Sequence, residues 1–438
     1  YKELMKKKGH TPITKVKNPE PNVESPDWVI WAAWADRITF EEIEAKTADG
    51  RAVSLRFTPE EHAARLAATR AELVNRGLDA LLVFAQESHY YLTGYDTSGY
   101  VFFQVGVITC DDRPTILLTR RPDLRQAEVA SLYDDIRIWF NAEDVNPAEQ
   151  LLDILNEFGL RGGRVGIEFG TYGLTAANGQ LVEAALNGFC ALEDASDIIR
   201  GKRLVKSSAE LDMVRKAGKL ADSAVLAAVE TSFPGSTESQ LSAAALTAML
   251  NGGAEVPAGG PLINSGPRAL FGRGISGPRK IDKSDQILIE LAGSFCRYHV
   301  CVETTVAVGL PDSRQADMMT VAANALEQIK EAARPGEVLG KLDDIHRDVL
   351  DKAGFATERF AACGYALGCT FKPTWMDVPP MIYSGNPLIL KPGMVFFVHI
   401  MIPDTRTGVM AGVGQTFAIS ENGSTELFSD LPTKLFLR

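Results

Sequence analysis

From Phe57 onward, apolar positions change between helical and extended periods in regular alternation. Thr58 followed by Glu61 is a helix-start signal, and the amphipathic helix it opens runs to about Arg76. Residues 78–84, apolar except for Asp79, read as a buried strand, and 100–110 and 114–119 read as the next two. Residues 146–158 predict a helix and 164–168 another strand. Such alternation implies an α/β domain, with a largely parallel or mixed sheet covered by helices.

The texture changes after the basic stretch 200–206, read as a linker. Ser207-Ser208-Ala209-Glu210 is a capping box opening a new helix. Long helices follow at about 208–232, 237–251, 314–333 and 338–353, with strand pairs near 286–308, 393–402 and 411–419. Segregated helices and hairpin-like strands predict an α+β domain. Three units result: an N-terminal extension over 1–56, an α/β domain over 57–205 and an α+β domain over 206–438. Within the extension, Lys6-Lys7-Lys8 and the Pro/Asn-rich run to Pro26 read as an exposed arm. Trp28, Trp31 and Trp34 recur at helical spacing, a stripe better suited to docking on the body or on a second subunit than to binding a ligand.

Composition narrows the function classes. A chain of 438 residues exceeds one ordinary core, consistent with this division. The formal charge of -11 argues against nucleic acid as a partner, since phosphate binding needs a basic face, and is compatible with a small cationic or zwitterionic substrate. No apolar run reaches the ~18 residues of a spanning helix, and mean hydropathy is -0.03. With no signal-type start, a cytoplasmic location is the expectation. The six cysteines lack CxxC or zinc-like spacing and read as reduced thiols.

The stretch Ile289-Glu290-Leu291-Ala292-Gly293 to Val302-Glu303-Thr304-Thr305 holds two carboxylates and His299 in an apolar, β-rich setting. Burying a carboxylate costs several kcal/mol unless it is paired or used, so the stretch is a site candidate on its own. A desolvated Glu290 is a candidate nucleophile toward an electrophilic amidine or imide carbon, with His299 or His399 to move the proton. Glu303, thirteen residues on across a tight hairpin, is placed to face the same cavity and hold a cationic nitrogen. Trp375, Tyr95 and Phe103 are read as an aromatic wall suited to such a cation. His89-Tyr90-Tyr91 and Gly94-Tyr95 are read at a strand end of the first domain. Each acid has a plainer reading: Glu290 as a structural carboxylate bonded to backbone, Glu303 as the partner of Arg297 or Arg273.

Four further segments carry a resemblance. They are Gly201-Lys202-Arg203-Leu204-Val205-Lys206, Ser265-Gly266-Pro267, Gly364-Tyr365-Ala366-Leu367-Gly368 and Leu390-Lys391-Pro392-Gly393-Met394-Val395. In this order the chain resembles the creatinase/prolidase/methionine-aminopeptidase family. That resemblance implies a creatinase-type α/β N-terminal domain, a pita-bread α+β catalytic domain and a homodimer. Its metallopeptidases hold two metal ions with two Asp, one His and two Glu. Matched to those motifs, Glu290 and Cys301 stand for the two Asp, Tyr365 for the His, and His399 and Gln415 for the two Glu. Arg273 stands where a substrate-facing His is expected. Every ligand type differs, so the resemblance implies a metal-free site without a cofactor.

Two metal-free branches are similar. Creatinase shares the Glu-x-Thr context of Glu303, although it has His where this chain has Arg273. Ectoine hydrolase shares Glu290-Leu291-Ala292-Gly293, Arg297-Tyr298-His299 and Gly364-Tyr365, but has Ser-Arg-Thr in place of Glu303-Thr304-Thr305. The implied activity is hydrolysis of a non-peptide C–N bond in a small nitrogenous solute: a cyclic amidine, a guanidino compound or a betaine. Catalysis is then expected from Glu290, His299 and His399. Substrate contact is expected from Glu303, Arg273, Tyr365, Gln415, Trp375, Tyr95, Phe103 and Cys301. Two alternatives stay open: a metal-dependent Xaa-Pro-type peptidase or lyase with an unusual ligand set, and a non-catalytic binding protein of the same fold. Convergence of Glu290, His299, Glu303 and His399 in one pocket is what separates an enzyme from a scaffold.

Overall fold

The computed structural model describes residues 37–438, so the Lys-rich arm and the tryptophan stripe lie outside the described residues. Ile43–Lys46 (β1) and Ala52–Leu55 (β2) pair as an antiparallel hairpin. Residues 37–56 are packed rather than extended away from the body. Arg51 donates to the carbonyls of Ser131 and Tyr133, and the ring of Phe40 meets that of Phe295 edge-on at 6.1 Å.

The first domain starts as its capping signal predicts. In Pro59–Arg76 (α1) the Thr58 side chain accepts the Glu61 N–H, and Gly77 ends the helix at φ 64, the left-handed conformation glycine adopts freely. Next come Ala80–Val83 (β3), Gln86–Thr93 (α2), Val105–Thr109 (β4), Ile116–Arg120 (β5), Leu124–Ala130 (α3), Asp135–Trp139 (β6), Pro147–Glu157 (α4), Arg164–Ile167 (β7), Ala176–Leu186 (α5), Ala191–Asp194 (β8) and Asp197–Leu204 (α6). The sheet order is β6-β5-β4-β3-β7-β8. The β3–β4 and β4–β5 pairs are antiparallel and the other neighbours parallel, so the sheet is mixed.

Two local expectations change here. Residues 86–93 form α2 rather than a strand end, because the buried Glu168 carboxylate following β7 accepts the N–H groups of Phe84 and Ala85 and the Ser88 hydroxyl. It thereby satisfies donors at the helix start. The basic stretch read as a linker is largely helical: α6 buries Ile198 and Ile199 beneath its charges.

In the second domain the Ser207 box is formed in both directions and opens Ser208–Thr231 (α7). There follow Glu238–Asn251 (α8), Leu262–Ser265 (β9), Gln286–Phe295 (β10), Tyr298–Ala307 (β11), Ser313–Ala332 (α9), Gly340–Lys352 (α10), Ala362–Leu367 (β12), Met376–Tyr383 (β13), Val395–Asp404 (β14), Val409–Ile419 (β15), Thr425–Leu427 (β16) and Phe436–Leu437 (β17). The sheet runs β13-β12-β14-β15-β11-β10-β9, with β16 on β15 and β17 on β11. Helices cover one face. Gly293 lets α7 approach so closely that a Cβ there would collide with the Ala217 carbonyl and the Ala221 amide. On the other face polar side chains sit among apolar ones, such as Leu288 and Met401, which form a small cluster with Ala269 and Met410.

The domains are clasped by buried polar contacts. Arg65 of the first domain lies 3.7 Å from Glu210 of the second, a carboxylate held from its own domain by Tyr298 at 2.7 Å, and Arg203 pairs across the boundary with Asp377 at 2.6 Å. Among the described residues no helix is long and apolar enough to cross a membrane.

Candidate active site

Strand parity builds the site. In the β10–β11 hairpin Glu290 is directly opposite Glu303, Ala292 opposite Cys301, and Ser294 opposite His299. Opposed residues point to the same face, and the period of two puts all six on the face away from α7. Across β15 the register continues from Glu303 to Gly414 and from Gly414 to His399 on β14. A side chain at Gly412 would collide with Glu303 Oε1, and one at Gly414 with Phe397 and the His399 Cβ. These glycines keep the floor open.

Glu290, Glu303 and His399 bring one donor atom each to within 4.8 Å of one another. Glu303 Oε2 lies 3.2 Å from His399 Nδ1, and its Oε1 is buried without a hydrogen-bond partner. Tyr365 Oη donates to Glu290 Oε1 at 3.3 Å and accepts from Trp375 Nε1 at 2.8 Å. The Phe397 ring stacks on the His399 imidazole, with centroids 5.0 Å apart and planes at 24°. Phe397 was not singled out in the sequence. Its place two residues before His399 on one strand is the signal that could have found it.

Charge follows this geometry. Burial, with the Glu303 charge added, pushes the Glu290 carboxyl up to about 7, while His399, Tyr365 and Arg273 pull the other way. Burial would lower His399, yet the Glu303 and Glu290 carboxylates prevail and raise it. Burial drives the Cys301 thiol well above its ordinary range, with Glu290 adding to the effect. Such a thiol is a packing group beside Tyr365, not an attacking thiolate.

Three expected contributions are corrected. His299 shares the strand face but not the cluster. Its Nε2 accepts the Ala258 N–H at 3.0 Å, and its Nδ1 lies 3.0 Å from Thr370 Oγ1, which donates to the Trp375 carbonyl. Burial lowers it to about 4, so it is a neutral, fully bonded ring with no proton to move. Tyr95 and Phe103 build no wall here. Tyr95 packs with His89 and Tyr133, and Phe103 with Phe84, inside the first domain's own cores. Gln415 pairs in register with Val398 and so faces the α9 side, where it accepts from Lys330 Nζ at 2.9 Å and donates to the Leu431 carbonyl. The plainer Arg297–Glu303 and Arg273–Glu303 pairings do not form: Arg297 pairs with Asp96 at 3.0 Å, and exposed Arg273 acts on Glu290 and His399 through its charge.

A model of metallopeptidase family M24 matches residues 212–421, and one of the creatinase/prolidase N-terminal domain matches 65–205. The chain belongs to this family. It is similar to ectoine hydrolase of Halomonas elongata, 27% identical over 402 residues that cover 88% of this chain and 99% of the relative. It is also similar to the Xaa-Pro dipeptidase of Pyrococcus furiosus, 29% identical over 231 residues, 53% of this chain and 65% of the relative. The crystal structure of dipeptidase PepE from Mycobacterium ulcerans superposes with a TM-score of 0.76 at 23% identity, over 87% of this chain and 99% of that one. The fold is thus the two-domain creatinase–pita-bread architecture, and the chain is a hydrolase of the M24 type.

The family name raises the question of metal. A two-ion cage does not fit these side chains. Tyr365 offers a phenol, Cys301 a protonated thiol, and Gln415 faces the opposite side of the sheet. One ion fits Glu290, Glu303 and His399, a mixed carboxylate–imidazole set. Asp343, His346 and Cys363 also lie close together. That acid, however, is already saturated by His346 Nδ1, Arg347 Nε and the Ser384 N–H, which marks a structural knot.

Proposed function

We propose that the protein is a metal-independent hydrolase that cleaves a non-peptide C–N bond in a small cationic or zwitterionic compound, with a cyclic amidine of the ectoine type as the leading class. The observation that carries this reading is the Glu290–Glu303–His399 cluster, in which a desolvated acid lies beside a second acid with an unpartnered buried oxygen. A substrate bearing an amidinium supplies the missing positive charge. It bonds to Glu303 Oε1, favours the ionised form of Glu290, and presents an electrophilic carbon to it.

Attack forms a C–O bond from Glu290 to the amidine carbon while the C=N π pair returns to nitrogen. Collapse breaks one C–N bond, and that nitrogen leaves as an amine with a proton from His399. Water then adds to the remaining imidate carbon and releases Glu290, leaving an amide. The sum is amidine plus water giving amide plus amine. The edge of Trp375, held through Tyr365, and the Phe397–His399 stack bound the substrate. The similarity to ectoine hydrolase along nearly its whole length supports the class of reaction.

A second reading rests on the same three donors. A divalent ion held by Glu290, Glu303 and His399 would supply Lewis-acid polarisation and a water of lowered pKa, as in a peptidase. One experiment separates the two. Purified protein is dialysed against a strong chelator, its metal content is measured, and it is assayed on ectoine-type amidines and on Xaa-Pro dipeptides. Amidine hydrolysis that survives metal removal supports the first reading. Dipeptide hydrolysis restored only by added metal overturns it.

A further inference from the structure

A cavity of about 340 Å³, not lined by Glu290, lies between the two domains. Its walls come from α2, from the 168–172 segment after β7, from α6, and from residues 370–378 of the second domain. Most of its charges are committed. Glu168 is saturated by two N–H groups and the Ser88 hydroxyl, and Arg203 is paired with Asp377 at 2.6 Å. Two are not. Glu87 accepts a single long bond, 3.3 Å from the Phe371 N–H, and Arg200 donates once, to the Gly170 carbonyl at 2.5 Å. Among the described residues neither has an ion-pair partner within 4 Å. Burial raises the Glu87 carboxyl, although the charge of nearby Arg203 pulls it down. Tyr172 also lines the cavity and keeps 67% of its surface exposed, a large aromatic with no packing role there.

One acid and one guanidinium without an ion pair among the described residues, fixed to different walls of one small cavity, match a molecule carrying both charges. An anion alone would meet three carboxylates, Glu87, Glu168 and Asp377, and a cation alone two guanidinium groups. We propose that this interdomain cavity is a second ligand site that takes a small zwitterion of the amino-acid type. Its ammonium binds Glu87 under the Tyr172 ring, and its carboxylate binds Arg200. The wall it touches is connected to the active site. Thr370 donates to the Trp375 carbonyl, and Trp375 bonds Tyr365, which bonds Glu290. Occupancy therefore braces the segment that carries Trp375. The inference stands whether or not the cluster at Glu290 hydrolyses amidines.

The test uses the full chain and calorimetric titration with 4-aminobutyrate, 2,4-diaminobutyrate and lysine, beside the single-charge controls butyrate and butylamine. At least one zwitterion is expected to bind at millimolar concentration or tighter, and the controls not. Affinity should fall about tenfold or more in Glu87→Gln and in Arg200→Met, the cost of one lost charge contact. It should be unchanged in Glu290→Gln. Arg200 is half-buried with one hydrogen bond, so its variant remains informative if Glu87→Gln fails to fold. Binding lost in Glu290→Gln but kept in the other two would place the zwitterion in the active site and overturn the proposal. So would the absence of binding by all three zwitterions, or equal binding of the controls.

Discussion

Glu290 and Glu303 occupy one register position of the β10–β11 hairpin, and both side chains are turned to the face away from α7. Two carboxylates held this way cannot both ionise freely without a cation between them. The chemistry of the site follows from that opposition.

On the proposed mechanism, replacing Glu290 by Gln is expected to lower kcat by three orders of magnitude or more, about 4 kcal/mol of barrier, because the oxygen proposed to attack is gone. Substrate binding should change little, since the amide keeps the shape of the site and Glu303 still holds the cation. Steady-state kinetics with a binding isotherm checks this. Unchanged kcat would remove Glu290 from the mechanism.

The pH profile carries a sign in two directions. Glu290 acts when ionised and is raised to about 7, so kcat/KM should rise with pH through that region. Glu303→Gln removes a like charge and should move this limb to lower pH while raising KM. Tyr365→Phe removes a hydrogen bond that favours the carboxylate and should move it higher. A limb that stays in place in both variants would show that Glu290 does not set it.

The same shift destabilises the fold. A carboxyl raised from 4.5 to about 7 binds more protons folded than unfolded between those values, so its contribution to stability falls as pH rises through that window. Glu290→Gln should therefore unfold at higher denaturant than the parent at pH 8, by about 2–3 kcal/mol, with the difference shrinking toward pH 4. Urea titrations at the two pH values measure it. A variant weaker than the parent at pH 8 would contradict the assignment.

Gly293→Ala tests how tightly the site is backed. Its Cβ would meet the α7 backbone at Ala217 and Ala221, atoms that cannot rotate away. A loss of about 1–3 kcal/mol is expected from such overpacking, read as a lower urea midpoint at unchanged slope.

Much of this molecule is legible in its sequence where the signal is local. Thr58 and Ser207 mark helix starts by side chains that bond the next turn, and both bonds form. The hairpin is legible too, because an odd separation of thirteen between Glu290 and Glu303 around a tight turn sets them opposite. What fails depends on partners distant in the chain. Gln415 sits one residue from Gly414, and only the pairing of Gly414 with Glu303 decides which of the two faces the site. Tyr95 and Phe103 are aromatic, as a cation site requires, but residue type does not say which core claims a ring. In α6 the charges are visible in sequence, while the burial of Ile198 and Ile199 beneath them comes from the first domain.

His299 holds the Ala258 backbone with one nitrogen and Thr370 with the other, and Thr370 in turn holds the carbonyl of Trp375. The ring works as a tie between the segment at Ala258 and the one that carries Trp375, beside the proposed substrate site. A mutational scan scored by activity alone would class this histidine with Glu290, since slackening the tie lets Trp375 drift from Tyr365. Measured against pH, the two separate: loss of the tie scales the rate at every pH, whereas a change at the acid pair moves the profile itself.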